Sequence, residues 1–362
     1  MNNLLFEYIW LDAKNDFRSK TKVITSDKEL DVTDLPVWNY DGSSTGQAEG
    51  TDSEVFLQPV AIFNDPFRQN MKSYLVWCNT IDKNNNLMDN CHRPRALEIF
   101  TKYQEEEPWF GLEQEYFIID PATKQSIGFK HVSGIVIIPE QQGKYYCSVG
   151  PDRALGRHIP ETHLEYCLYA GIQICGVNAE VAPGQWEYQI GPCVGINAGD
   201  HLWVSRYILN RVAENVGYEI SYHPKPLGQH TNWNGSGCHT NFSTKDMRNE
   251  NGINYIYKSI MRLSQTHLKH MENYGSENHL RMSGLHETSK YNKFTYGRAN
   301  RGASVRIPNQ VLKENKGYFE DRRPAANCDP YLVTSLILET TMDNSLDEII
   351  RNREEFITLH HN

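Results

Sequence analysis

Two pairs of glutamates, a histidine among glycines and a run of arginines are the residues whose types and spacing suit shared chemistry. Glu113 and Glu115 lie two apart in Phe-Gly-Leu-Glu-Gln-Glu-Tyr-Phe-Ile-Ile-Asp, which reads as a strand, so both carboxylates project from one face. A solvated strand face bearing two charges is the plain alternative. Glu180 and Glu187 flank the turn signal Pro183-Gly184, and a hairpin centred there sets them directly opposite one another. Two carboxylates ~4 Å apart repel by about 4 kcal/mol at an effective dielectric of ~20, so that hairpin calls for a cation; a looser turn with both groups in water fits the same spacing. His239 closes the glycine-rich run Asn232-Trp233-Asn234-Gly235-Ser236-Gly237-Cys238-His239. Glycines permit close backbone approach to a ligand, and a neutral imidazole ligates metal, although a lone histidine is as readily a structural residue. Arg301, Arg306, Arg322 and Arg323 cluster around Glu320 and Asp321. Guanidinium forks suit carboxylates and phosphates, while surface ion pairs are the alternative. No Gly-x4-Gly-Lys-Ser/Thr loop exists, and Gly235-Ser236-Gly237 lacks a dinucleotide fingerprint's third glycine, which leaves divalent metal plus arginine as the route to a nucleotide. Asp41, in the turn-rich loop Trp38 to Gly50, is either a turn cap or a base presented on a loop.

Elements to position these groups are legible in outline. The chain has 362 residues, more than one small module, and 39% hydrophobic against 22% charged residues is a globular balance. Asp and Glu outnumber Lys and Arg 45 to 36, which disfavours nucleic acid as the main partner. A mean hydropathy of -0.60 and the lack of a bilayer-length apolar run exclude a membrane span of that kind. The N-terminus has no signal-peptide pattern, and eight scattered cysteines read as reduced thiols, so a cytoplasmic location is expected. Short strand-like runs at Glu7 to Leu11, Lys22 to Ile24 and Tyr74 to Cys78 suggest a small β-rich region, and the polar stretch Asp82 to Asn90 a boundary. Beyond it, helical periodicity follows Pro94 and recurs over Thr162 to Ile172, Asp200 to Val216, Asn254 to Tyr274 and Leu332 to Met342. Strands are expected at Gly111 to Asp120 and Asn178 to Ile190, making the fold class α+β.

Together these segments resemble glutamine synthetase of the eukaryotic type, in unbroken order from about Tyr8 to Thr340. The matching stretches are Trp38 to Gly50, Asp65 to Arg68, Trp109 to Tyr116, Tyr145 to Arg157, Asn178 to His201, Asn232 to Ser243, Leu285 to Ser289, Asn300 to Pro308 and Gly317 to Pro330. The resemblance implies a small β-grasp N-terminal domain over residues 1–85 and a larger catalytic domain over 92–362, with a curved antiparallel sheet flanked by helices. It implies a homodecamer of two pentameric rings with sites between subunits, and substrates L-glutamate, ammonium and ATP, without nucleic acid or membrane.

Residue by residue, Glu115, Glu180 and Glu187 resemble ligands of one metal, and Glu113, His239 and Glu320 those of another nearer the phosphates. Oxygen donors with one imidazole suit Mg²⁺ or Mn²⁺, roughly two to three per site. ATP would meet Glu113, Glu187, Asn241, Phe242, Ser243, Arg301, Arg306, Tyr318 and Phe319. Glutamate would meet Asn232, Trp233, Gly235, His239, Arg281, Arg301 and Arg322, and ammonium Asp41, Ser44 and Tyr146. Asp41, Glu287, Arg306 and Arg322 resemble the catalytic groups, Glu287 as the acid of a flap that keeps water from a γ-glutamyl phosphate intermediate. A ligase for a larger amine would be expected to change Asp41, Ser44 and Tyr146, which instead keep the ammonium pattern. The chain departs from the family in a longer link, Gly228 to Thr231, in the divergent stretch Phe129 to Lys144, in Arg298, and in beginning almost at the first strand.

Overall fold

The computed structural model describes residues 2–132, 135–137, 142–227, 232–286 and 288–348. Strands β1 (Asn2–Leu11), β2 (Phe17–Ser26), β3 (Trp38–Asp41), β4 (Glu54–Asn64) and β5 (Ser73–Ile81) form one sheet ordered β2-β1-β5-β4-β3. Central β1 and β5 run parallel and the other pairs antiparallel, the mixed arrangement of a β-grasp. Period-two alternation sends Leu4, Phe6, Tyr8 and Trp10 of β1 into a small apolar cluster with Val55, Leu57 and Val76. Ile9 and Leu11 point the other way, joining Leu75 and Trp77 in the main core.

A second, curved sheet carries Glu113, Glu115, Glu187, His239 and Glu320. Its main path is β10 (Ile174–Ala179), β11 (Gln185–Val194), β6 (Trp109–Asp120), β13 (Cys238–Ser243), β16 (Phe319–Asp321), β15 (Val305–Ile307) and β14 (Tyr296–Arg298). Short β7 (Gln125–Ser126) and β12 (Glu219–Ser221) also pair with β6, while β8 (Lys130–Val132) pairs with β9 (Ile135–Ile137). The helices are α1 (Arg93–Lys102), α2 (His158–Ala170), α3 (Asn197–Asn215), α4 (Lys245–Arg248), α5 (Ile253–Gln265), α6 (His267–Asn273), α7 (Asn309–Glu314) and α8 (Pro330–Met342). Among the described residues no helix is long and apolar enough to cross a membrane.

Helix α3 backs the sheet. Its Arg206 is fully buried, donating Nε and Nη2 to Gln114 Oε1 at 2.9 and 2.6 Å and Nη1 to the Cys328 carbonyl at 2.9 Å. A buried guanidinium with these acceptors locks β6 in place, because a lost acceptor leaves an unsatisfied charge. The first sheet is fastened to the same helix: Trp77 stacks on Trp203 with ring centroids 5.9 Å apart and donates Nε1 to Tyr331 at 2.8 Å. Buried Glu7 accepts from Arg68 at 2.6 Å and from Arg211 of α3 at 3.0 Å.

The single helix expected over Asn254 to Tyr274 is two. Thr266 leaves helical geometry between α5 and α6, its Oγ1 bonding back to the Arg262 carbonyl at 3.3 Å. His267 then turns toward the Tyr291 carbonyl at 2.9 Å and Arg323 at 3.1 Å, partners that the amphipathic period does not encode.

Candidate active site

Strand β6 sets the frame, with Glu113 and Glu115 on the face away from Gln114 and α3. On one side β11 brings Glu187 opposite Glu115 and Gln189 opposite Glu113. On the other, β13 places His239 opposite Glu113, and β16 places Glu320 opposite Asn241. Ligand atoms of Glu115, Glu180 and Glu187 all fall within 4.8 Å of one another, as do those of Glu113, Glu187 and His239.

The β10–β11 register corrects one expectation. Glu180 pairs with Gln185 through a backbone bond of 2.9 Å, and Asn178, not Glu180, faces Glu187. The Pro183-Gly184 turn forms, the Gln185 amide bonding back to the Ala182 carbonyl at 3.1 Å, but the Gln185 carbonyl accepts from the Glu180 amide, so the strands pair across a four-residue connection, Val181 to Gly184, where a two-residue one was expected. A shift of two positions preserves the face, so Glu180 and Glu187 still converge, diagonally rather than directly opposed.

Burial first, then repulsion from Glu180, raises the Glu115 carboxyl to about 8; burial followed by Glu113, Glu115 and Glu180 raises Glu187 to about 9. Burial and the guanidinium of Arg322 push His239 far below the ordinary imidazole range, so it is neutral with a lone pair available. Carboxylates crowded and desolvated in this way are high in free energy unless a cation joins them. Oxygen donors and a neutral imidazole therefore fit a hard divalent ion.

Guanidinium groups line one side. Arg306 and Arg322 hold the two Glu320 oxygens at 2.8 and 2.5 Å, with Glu320 Oε1 3.7 Å from Nδ1 of His239. Buried Arg281 is anchored by Nη2 on the carbonyls of Arg322 and Arg323 at 3.0 and 2.7 Å, and burial pulls it down to about 10. Gly235 is needed beside it: a Cβ there would stand 2.5 Å from Arg281 Cγ and 2.2 Å from the Pro224 carbonyl. The Gly237 amide donates to Glu115 Oε2 at 2.5 Å, tying the glycine-rich loop to the carboxylates. Asn232 is exposed, whereas Trp233 is buried against Phe129 and Tyr145.

A cleft of about 480 Å³ opens next to Glu113, lined by Trp109, Gly111, Gln189, Asn241, Ser243 and Tyr318 among others. Its rim is held by Arg248, 4.0 Å from the Trp109 ring centroid and donating to Ser243 Oγ at 2.9 Å. Phe242 and Phe319 lie fully buried, Phe242 tilted against Phe110 and edge-to-face with Phe319, so neither offers a side chain to a ligand there.

A model of the glutamine synthetase catalytic domain matches residues 93–274. The chain is 50% identical over 343 residues to the glutamine synthetase of Tuber borchii, covering 93% of this chain and 92% of that protein. It is 49% identical over 342 residues to the cytosolic isozyme of Pinus sylvestris, covering 94% of each.

The chain belongs to the glutamine synthetase family.

Its relatives are of the eukaryotic-like type, and membership makes it a glutamate–ammonia ligase. A solved structure titled "Apo GmaS without ligand" shares the fold, with TM-score 0.69 at 19% identity over 94% of this chain and 77% of that one. Of the remaining expected site residues in this glutamine synthetase, Asp41 lies on the first sheet, whereas the charge of Arg301 is felt by His239 and Tyr146 at the second. Asp41 ends edge strand β3 of the first sheet, accepting from Ser43 and Ser44 hydroxyls at 2.7 Å each; these bonds bring its carboxyl down to about 2. Tyr146 is half-exposed and raised by burial, then by Cys147 and Glu180, which places it near the second sheet's cluster rather than beside Asp41. Arg301 is exposed, its carbonyl accepting from Arg322 Nε at 3.0 Å. Glu287 lies outside the described residues.

Residues not singled out from the sequence complete the cluster. Gln189 donates Nε2 to Glu187 Oε1 at 2.5 Å and to Asn178 Oδ1 at 2.8 Å, and Asn178 in turn donates to Glu180 at 3.0 Å. The signal was available: Gln189 lies two positions from Glu187, on the same strand face.

Proposed function

We propose that this glutamine synthetase makes γ-glutamyl phosphate from glutamate and ATP and then lets ammonia displace the phosphate, with Glu115, Glu180 and Glu187 holding one Mg²⁺ or Mn²⁺ and Glu113, His239 and Glu320 another. The observation that carries the reading is that Glu115, Glu180 and Glu187 converge within 4.8 Å of one another, as do Glu113, Glu187 and His239, with Arg306 and Arg322 close by on Glu320. Divalent ions there would supply charge neutralisation for the transferring phosphoryl group. Glu187 belongs to both convergent groups, whereas Glu320 is paired with two arginines; exchange of one of these pairs for metal is part of the reading.

Arg301 and Arg306 face the phosphates in this account, with Asn241, Ser243, Tyr318 and the backbone at Phe242 and Phe319 holding the rest of ATP. Arg281, Arg322, Asn232, Trp233, Gly235 and His239 form the glutamate pocket. A carboxylate is too poor an electrophile for ammonia, and its mixed anhydride with phosphate, which has phosphate as leaving group, is not. Asp41, helped by Ser44, binds ammonium from a neighbouring copy in a decamer, and Tyr146 meets it from the cluster's own chain. A carboxyl held at about 2 favours binding the cation over keeping its proton, so Asp41 acts chiefly as an anion. Glu287 closes over the intermediate. A cytosolic location is part of the same proposal.

Phosphate release from ATP, measured with glutamate and ammonium and with each omitted in turn, tests the reading. Release that needs glutamate, with glutamine formed only when ammonium is present, is expected; release indifferent to glutamate overturns it.

A further inference from the structure

Gln142 makes contacts that the proposed reaction does not account for. Its Oε1 accepts from the Asn234 backbone N–H at 2.8 Å, and its Nε2 lies 3.4 Å from Nδ1 of His286. A carboxamide has an accepting end and a donating end, so with this assignment Nδ1 of His286 is the acceptor. The partners are 92 and 144 residues away in sequence. One precedes Gly235, whose missing Cβ lets Arg281 approach. The other sits in left-handed geometry, φ 54, within a loop closed at its base by the Ser283–Lys290 bridge and tied by Thr288 Oγ1 to the Arg281 carbonyl at 3.2 Å. Two loops that both touch Arg281 are therefore spanned by one side chain.

Neighbouring groups of the glycine-rich loop have other holders. Lys225 Nζ donates to the Trp233 carbonyl, Gln185 Nε2 donates to the Gly235 carbonyl at 3.2 Å, and the Ser236 amide donates to the Pro224 carbonyl at 2.9 Å. Gln142 adds the one connection in this set that reaches His286.

We propose that Gln142 is a positioning residue that braces the His286 loop against the Asn234–Gly235 loop, so that the two enclose the amino-acid substrate as a unit. The inference rests on the reading of Gly235 and Arg281 as part of the glutamate pocket. If the brace opens, water reaches the acyl phosphate: its oxygen attacks, the bond to phosphate breaks, and glutamate and phosphate leave without glutamine. The signature is phosphate released in excess of glutamine formed, which a loss of folded protein would not produce.

The test measures phosphate and glutamine in the same reaction, with KM for glutamate and kcat, for the wild type, Gln142→Met, His286→Ala and the double variant. Methionine keeps most of the side-chain volume while removing both hydrogen bonds, and His286→Ala removes the far arm while leaving the Asn234 bond in place. The phosphate released in excess of glutamine, per glutamine formed, should rise about fivefold in each single variant, the weight of one net hydrogen bond, and no further in the double. Stoichiometric turnover by Gln142→Met in the presence of a glutamate-dependent wild type overturns the brace alone, as do single effects that multiply in the double variant. Wild-type phosphate release that ignores glutamate overturns the pocket reading and the brace with it.

Discussion

Replacing Glu187 by glutamine alters the electrostatics of the carboxylate cluster in opposite directions with and without metal. Glu187 is buried, faces Glu115 across the β11–β6 ladder, and titrates near about 9 against 4.5 for an ordinary glutamate. A folded value above the unfolded one means that its contribution to stability is full below about 4.5 and is lost as the pH climbs through about 9. Glutamine has the same shape and does not titrate. In chelator the variant should therefore gain on the wild type by up to about 4 kcal/mol between about pH 5 and about pH 8, at about 1.4 kcal/mol per pH unit. With Mg²⁺ the order reverses. Metal at about a hundred times its dissociation constant stabilises the wild type by about 2.7 kcal/mol, and glutamine, a poorer ligand, forfeits most of that. Urea unfolding followed by tryptophan fluorescence, at several pH values with chelator or Mg²⁺, reads both effects. A variant less stable at every pH in chelator, with its Mg²⁺ increment intact, would refute the reasoning.

Three further outcomes are expected. Asp41→Ala should depress ammonium-dependent turnover more than glutamate-dependent phosphate release, and equal loss in both assays would remove Asp41 from the ammonium site. Asp321→Asn weakens a fully buried ion pair in which Arg323 donates at 2.7 and 2.8 Å and Tyr274 at 2.8 Å; a loss on the order of 3 kcal/mol should appear as a lower urea midpoint. Gly235→Ala should raise KM for glutamate several-fold as Arg281 is displaced, and an unchanged KM would take Arg281 out of the pocket.

What could be read in advance followed from strand periodicity. Glu113 and Glu115 share a face because they lie two apart, and that inference needs no tertiary contact. The Glu180–Glu187 register depended on more than the turn; a Pro-Gly pair encodes the local bond from Gln185 to Ala182 without saying which residue of the preceding strand Gln185 then pairs with, here Glu180. Breakage of the helix at Thr266 was hidden for a related reason. Ile256, Ile260 and Leu263 keep helical spacing up to the break, and the pull on His267 comes from Tyr291 and Arg323, remote in sequence. Gln189 and Asn178 lie two positions from Glu187 and Glu180 and could be placed on their faces by the same rule, whereas the role of Gln142, an uncharged amide, arises only from what lies across a loop. Arg206 could not be assigned at all, because charge usually marks a surface and here it lies beneath the sheet.

The most direct test of the metal-holding cluster is anomalous diffraction from a crystal grown with Mn²⁺. The account predicts peaks among Glu115, Glu180 and Glu187 and beside Glu113 and His239, with Glu187 adjoining both. Manganese bound elsewhere on the protein, with these side chains free of it at saturating concentration, would contradict the account.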